Sequence, residues 1–429
     1  MTTPDNKLYQ SLDSHRWAVF GAIAGVYFLV YFHRVSTSVI APDLLAAFQT
    51  NATALGFMSS MYFYLYAFEQ PLVGHLSDRL GPRRVVGLWS LIAALGCVLF
   101  GLAPTIGFAA VGRAFIGLGV GGVYVPALKA FSQWFRAREF GTMTGLLIAA
   151  GNLGAVVATT PLAWMASSWG WRASFFVIGA VTLGLALVTL YLLRDHPAKD
   201  ELDFPTLSSG TVPASTSQLS ARHVIVSLRF WILAAIFFGV FGGSISFQGL
   251  WATPFLMSAF GLERLHASWL NMLVPVGYIV GAPLSGWLAD LVFKDKAHLL
   301  VTLLSILTVA WIAITYGSHI LGMPGMALFF LVLGGACGGL GTTLWATARE
   351  TTPRHILGLT TGLLNPFPLL GMAVMQGWTG AILDSTGKIN GMYPPVAFKN
   401  AFSLCLVVAA ICLALCITLG KYLSTKQPD

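Results

Sequence analysis

Long apolar runs alternate with short polar breaks along the whole chain, and each run has the length of about 20 residues that a helix needs to cross a bilayer. Twelve such segments occur, at roughly 17–40, 54–77, 82–103, 106–134, 140–166, 171–193, 229–258, 266–291, 297–317, 322–347, 356–383 and 398–422. Several are long enough to tilt or kink. One long polar insert, 194–228, carries Asp195, Lys199, Asp200, Glu201 and Asp203 and then a Ser/Thr/Pro-rich run, the composition of a linker. The pattern predicts an all-α polytopic membrane protein with twelve transmembrane helices. It divides into a six-helix bundle over 1–193, a cytoplasmic linker over 194–228 and a second six-helix bundle over 229–429.

The two bundles read as parallel repeats. An offset of 212 residues lays Pro42 on Pro254, Pro71 on Pro283, Gly74 on Gly286, Leu76 on Leu288 and Asp78 on Asp290. An offset of 217 lays Gly117, Gly121 and Gly122 on Gly334, Gly338 and Gly339, Gly145 on Gly362 and Gly154 on Gly371. Such an arrangement suits alternating access, in which two halves rock about a site near the midplane. Basic residues set the orientation. With both termini cytoplasmic, 17 of the 24 Lys and Arg fall in inner loops and tails, and four (Arg172, Arg264, Lys388 and Lys399) fall outside. Arg34, Arg113 and Lys129 remain within segments.

Composition narrows the class. Of 429 residues, 56% are hydrophobic and 9% charged, against about a quarter charged in soluble domains. Little is left for a soluble domain. The net charge of +8 is spread through short loops, which argues against nucleic acid as a partner. A polar stretch with Lys7, His15 and Arg16 precedes the first segment without an A-x-A-like cleavage site, the reading of a retained helix and not a cleaved signal. The five cysteines lie inside apolar segments, with no zinc spacing and no loop pair for a disulfide. There is no P-loop, and the Gly-x-x-x-Gly run Gly117–Gly121 is a helix-packing device. No enzyme, cofactor or metal is expected.

The stretch Gly74-His75-Leu76-Ser77-Asp78-Arg79-Leu80-Gly81-Pro82-Arg83-Arg84 joins the second and third segments. Gly81 and Pro82 make its turn, the arginines mark the cytoplasmic side, and Asp78 can pair with them or sit near a helix N-terminus. The pattern G-x-L-S-D-R-x-G-x-R-R closely resembles the signature loop of the major facilitator superfamily. Gly112–Gly119, Gln133–Glu139 and Gly170–Phe176, with the Arg34 region, look like its anion:cation symporter and sugar-phosphate permease branches. The resemblance implies uptake or exchange of a small organic anion: a carboxylate, sugar acid or phosphate ester. Two departures stand out. His33-Arg34 replaces the Asp-Arg pair of those symporters, and Val120 stands where a helix-4 carboxylate is common. The fifth segment reads Gly151-Asn152-Leu153-Gly154 without the following proline of drug/proton antiporters, which counts against multidrug export.

Ionisable groups inside a bilayer are costly and mark function. Arg34 lies about 27 Å from the cytoplasmic start of helix 1 and Arg113 about 10 Å below the outer face, so the two come out at similar depth. In the superfamily both helices line the central cavity, which implies an anion held by guanidinium groups. Their repeat positions are Ser246 and Phe330, so the positive site is one-sided. Glu69, about 13 Å above the signature loop, shares a helix face with Tyr62 and Tyr66. It is the candidate proton-coupling residue, with a fixed ion pair or a gate contact as the alternative. Tyr27, Tyr31, Arg34 and Ser38 share one face of helix 1, and Tyr124 lies near the face of Arg113. In the second half Gln248, Trp251 and Asn365 complete the expected substrate-binding set, followed by Asn271 and Tyr278. His33 points away from Arg34 and is read as packing, Lys129 as snorkelling at a helix end. Gly74, Asp78, Arg79, Gly81, Arg83 and Arg84, with Asp290 and Glu350, form the expected cytoplasmic gate. Asn51-Ala52-Thr53 reads as a chance sequon.

The expectation is a secondary active transporter of a small organic anion, coupled to protons or a counter-ion by symport. It sits as a monomer in a bacterial inner membrane. Alternatives are an exchanger or efflux antiporter for a different small molecule, or a transporter-like anion receptor.

Overall fold

The computed structural model describes residues 4–136, 138–195, 224–293, 296–352, 357–389 and 391–424. Most of the expected linker, 196–223, lies outside them, as do the side chain of Asp290 and residue Arg354.

The described residues build twelve spanning units. They are α1 (Pro4–Ala47), α2 (Ala52–Leu80), α3 (Pro82–Leu102), α4 (Ile106–Trp134), α5 (Phe140–Trp169) and α6 (Trp171–Leu192). Then follow α7 (Leu228–Phe260), α8 (Arg264–Ala289), α9 (Lys296–Tyr316), α10 (Ser318–Thr351), α11 (Leu357–Leu364 with Pro366–Thr386) and α12 (Pro395–Ser424). Ten of the twelve are long and apolar enough to cross a membrane on length and composition alone. The other two, α2 and α11, pack against each other, so these helices meet protein over a large part of their surface. The chain is a multi-pass integral membrane protein.

Several helices are interrupted, two of them next to a proline. α4 breaks at Gly122-Val123. α5 breaks at Ala158-Thr159, just before Pro161, where a prolyl ring lacks the donor a continuing helix would use. α7 loosens into a π turn over Phe247–Trp251, closed by Ala252 N–H bonding back to the Phe247 carbonyl. α11 breaks at Asn365, with Pro366 opening the next piece. In the signature turn Gly81 takes φ +83°, which favours a residue without Cβ, and Pro82 starts α3.

The glycines of the repeat are close-approach points. A Cβ on Gly117 would run into the backbone of Tyr62, and one on Gly334 into that of Val274, which is Tyr62 displaced by 212. Gly154 seats α5 on the Phe28 carbonyl, and Gly371 seats α11 on that of Phe238. The same seam is therefore built twice, α4 on α2 and α10 on α8. In membranes this close contact substitutes for a hydrophobic driving force between helices.

The two ends of the bundle differ. At the end carrying the α1–α2 connection, contacts tie the first six helices to the last six. Arg264 pairs with Asp43 at 2.5 Å, Thr253 N–H donates to Ser38 Oγ at 3.2 Å, and Asp384 meets Ala52 and Thr53. At the signature-loop end, the ion pairs Lys129–Asp78, Arg16–Glu139 and Lys296–Glu350 each join residues of the same half.

Candidate substrate site

Arg34 projects from the middle of α1 into a group of tyrosines. Its guanidinium stands 4.3 Å from the ring centre of Tyr31 and 5.7 Å from that of Tyr66. Tyr27 packs on Tyr31 at 5.3 Å and stacks on Tyr124 at 5.7 Å, and Tyr278 of α8 lies within electrostatic range of both Tyr31 and Arg34. Tyr31, Arg34, Tyr124 and Tyr278 are all half-buried, although they sit among helices, so this group borders accessible space. Among the described residues no carboxylate pairs with Arg34. Aromatic faces flank the guanidinium and the hydroxyls of Tyr62 and Tyr66 interact with it, and its planar fork suits a planar anion.

Tyr66 and Tyr278 are repeat mates at the offset of 212, and each packs against the matching glycine, Gly121 or Gly338. The repeat thus brings one phenol from each half into the neighbourhood of Arg34. Sequence reading placed Tyr66 with Glu69 and ranked Tyr278 behind other candidates; the repeat offset was the signal that joins them.

Arg113 occupies a different setting. It is fully buried, donates from Nη2 to the His33 carbonyl at 3.1 Å, and lies 5.0 Å from the Tyr62 ring centre. Tyr62 in turn donates to the Val30 carbonyl at 2.8 Å. His33 is wholly buried, with Nε2 3.7 Å from Cys97 Sγ and its ring beside Phe175. Arg113 therefore packs among α1, α2 and α3, whereas Arg34 borders accessible space.

Glu69 of α2 is buried and its Oε2 accepts the indole N–H of Trp89 at 2.8 Å. Among the described residues Oε1 has no hydrogen-bond partner, and it faces Gly121, whose missing Cβ leaves the room it fills. The carboxyl thus lies beside the break in α4, next to Val120. Neither an arginine nor a lysine pairs with it among the described residues.

The second-half candidates are held more tightly. Trp251 is fully buried and donates to Thr379 Oγ1 at 2.8 Å. Asn271 Nδ2 donates to the Gln248 carbonyl at 3.0 Å, which secures the π turn. Asn365, at the break of α11, donates to Gln70 Oε1 at 3.0 Å, and Gln70 Nε2 donates to the Gly121 carbonyl at 3.3 Å. The breaks in α4 and α11 are thereby linked through one side chain. Sequence reading did not single out Gln70, Trp89 or Gln376. Gln376 is fully buried beside Gly249, and neither of its amide atoms has a partner among the described residues.

In the signature loop, Lys129 reaches down to Asp78 Oδ1 at 2.8 Å and to the Ser77 carbonyl at 2.9 Å. Arg83 N–H donates to Asp195 Oδ1 at 2.8 Å and its Nε to the Leu190 carbonyl at 2.7 Å. Gly74 has open space at its Cβ position, and Arg79 and Arg84 are exposed. Glu350 pairs with Lys296 of α9, not with the signature loop. Asn51 caps α2 through its own side chain, accepting from Ala54 N–H at 2.9 Å.

Comparison with known proteins places these features in a family. The sequence model of the Major Facilitator Superfamily matches residues 23–367. The probable sulfoacetate transporter SauU of Cupriavidus necator is 26% identical over 388 residues, 89% of this chain and 86% of that protein. The membrane sensor protein UhpC of Salmonella typhimurium is 23% identical over 402 residues, 89% of this chain and 88% of that protein. A solved bacterial homologue of the human lysosomal transporter Spinster, inward-facing and unoccupied, superposes with a TM-score of 0.77. It covers 97% of both chains at 18% identity, a likeness of fold.

Proposed function

The chain belongs to the Major Facilitator Superfamily and is a transporter, not an enzyme; from that premise we propose that it moves a small organic anion by alternating access. The observation that carries this reading is Arg34: a half-buried guanidinium, ringed by tyrosines, with no carboxylate partner among the described residues. Such a charge calls for an anionic ligand to offset its desolvation. The sulfoacetate named for the Cupriavidus necator relative belongs to the same substrate class.

In this reading Arg34 binds the anion, and Tyr27, Tyr31 and Tyr124 wall its carbon skeleton. Gln248 and Asn365 contribute to it from the second half, 229–429, where Trp251 is held on Thr379, while Arg113 adds positive potential from behind Tyr62. Glu69 carries the coupled proton in symport, because it is buried without a cationic partner and keeps one oxygen unbonded. The half comprising 1–193 and the half comprising 229–429 rock about this level, with Asp78, Lys129, Glu350 and the signature arginines governing the cytoplasmic mouth. Both termini face the cytoplasm of a bacterial inner membrane, so the closed end of the bundle is the outer one.

Proteoliposome uptake of labelled carboxylates, sulfonates and sugar acids, with and without an inward proton gradient, tests the proposal. Saturable accumulation that rises with the gradient is expected, and Arg34→Gln abolishes it. Flux of anions that survives Arg34→Gln unchanged would remove Arg34 from the site. The sensor among the relatives makes binding without transport the second reading; ligand-induced stabilisation without accumulation would favour it.

A further inference from the structure

We propose that Asp384 is the gate residue of the outer mouth, a latch in which the last turn of α11 caps the first turn of α2 across the two halves. The inference rests on the alternating-access reading and assigns a role that reading leaves empty, since its gate residues all lie at the cytoplasmic end.

Three free backbone N–H groups open α2. Asn51 takes that of Ala54. The other two come to Asp384: Ala52 N–H donates to Oδ1 at 3.0 Å and Thr53 N–H to Oδ2 at 2.7 Å. The Thr53 hydroxyl and the Tyr393 hydroxyl also donate to this carboxylate, and Tyr393 accepts a bond from Ala52 N–H at 2.8 Å. Lys388, just past α11, donates to the Thr50 carbonyl at 2.8 Å. Gly380 lets the helices come this close, because a Cβ there would strike the Ala52 carbonyl.

Asp384 lies in the last turn of its own helix, where the negative end of the dipole disfavours a carboxylate. The N-terminus of α2 supplies the opposite field and the missing donors. The acid is therefore favourably placed only while the two helix ends touch. Parting them returns the carboxylate to an unfavourable end and leaves two amides of α2 to water, which can solvate them. That makes a contact strong enough to bias the closed state and weak enough to release it. The repeat-related seam, α5 on α8, carries Ser167 at the matching position, so the latch exists on one side of the mouth only.

Spin labels at Pro104, between α3 and α4, and at His319, at the start of α10, measure the opening. Both residues are exposed at the outer end, and the native cysteines are all buried. Asp384→Ala is expected to raise the ratio of long to short distances about tenfold, the weight of hydrogen bonds to a charged group, with Asp384→Asn intermediate. Tyr393→Phe and Lys388→Met, each removing one strap, give smaller shifts in the same direction and serve if Asp384→Ala does not fold. Distance distributions unchanged across these variants overturn the latch. Uptake by the wild type on the same preparations reports separately on the transport reading. Shifted distances without uptake keep the latch and refute transport; unchanged distances with intact uptake do the reverse.

Discussion

Trp89 of α3 donates its indole N–H to Glu69 of α2 at 2.8 Å, fixing a buried carboxyl beside the break in α4. The bond holds one oxygen and leaves the other facing Gly121. In the proposed symport this unbonded oxygen takes up and releases the coupled proton. Glu69→Gln keeps the acceptor for Trp89 but cannot exchange the proton. A pH difference of one unit sustains about tenfold accumulation per proton moved. The variant is expected to lose that accumulation while retaining counterflow of the anion, read in proteoliposomes with a defined gradient.

Arg34 is expected to be sensitive to shape as well as charge. Replacing it by Gln raises the half-saturating anion concentration about 10- to 100-fold, the cost of losing hydrogen bonds to a charged ligand. Arg34→Lys restores only part of this, because an ammonium lacks the planar fork and the aromatic stacking on Tyr31. Thermal-shift titration with a binding anion measures both.

The repeated glycines divide into two classes that look alike in sequence. Gly117→Ala and Gly334→Ala each drive a methyl into backbone, at Tyr62 and Val274, and should cost about 1–3 kcal/mol. Gly145→Ala and Gly362→Ala meet open space and should be neutral or stabilising by up to about 1 kcal/mol. Denaturation midpoints in one detergent compare all four.

The Lys129–Asp78 pair is expected to add little stability. Asp78 is 77% exposed and Lys129 25% exposed at the side chain, a setting in which ion pairs contribute about 0–1 kcal/mol. A double-mutant cycle with Lys129→Ala and Asp78→Asn should give a coupling within that range, and one that weakens with salt.

Much of this protein was legible in its sequence because a bilayer imposes rules that a chain must display. Each crossing needs a run of apolar residues, so twelve segments could be counted, and the observed helices fall on them. The signature loop, the internal repeat and the isolated charges at Arg34, Arg113 and Glu69 were equally visible, since polar groups stand out against 56% hydrophobic residues. Distance between helices was not. Helical pitch put Arg34 and Arg113 at one depth, but depth says nothing of rotation about the bundle, and only packing set Arg34 among tyrosines and Arg113 against His33. In the same way the sequence showed a buried Glu69 but not its partner, because Trp89 lies on another helix and an indole N–H gives no sign of what it will meet. Gly117 and Gly145 sit in similar motifs, yet one touches backbone and the other open space, a difference that exists only once neighbouring helices have docked. Asp384 reads as an ordinary polar residue at a helix end until the start of α2 arrives beside it. Composition and period fixed what crosses the membrane; the meeting of helix ends and faces, decided by close packing, brought together the residues of the candidate site and of the proposed latch.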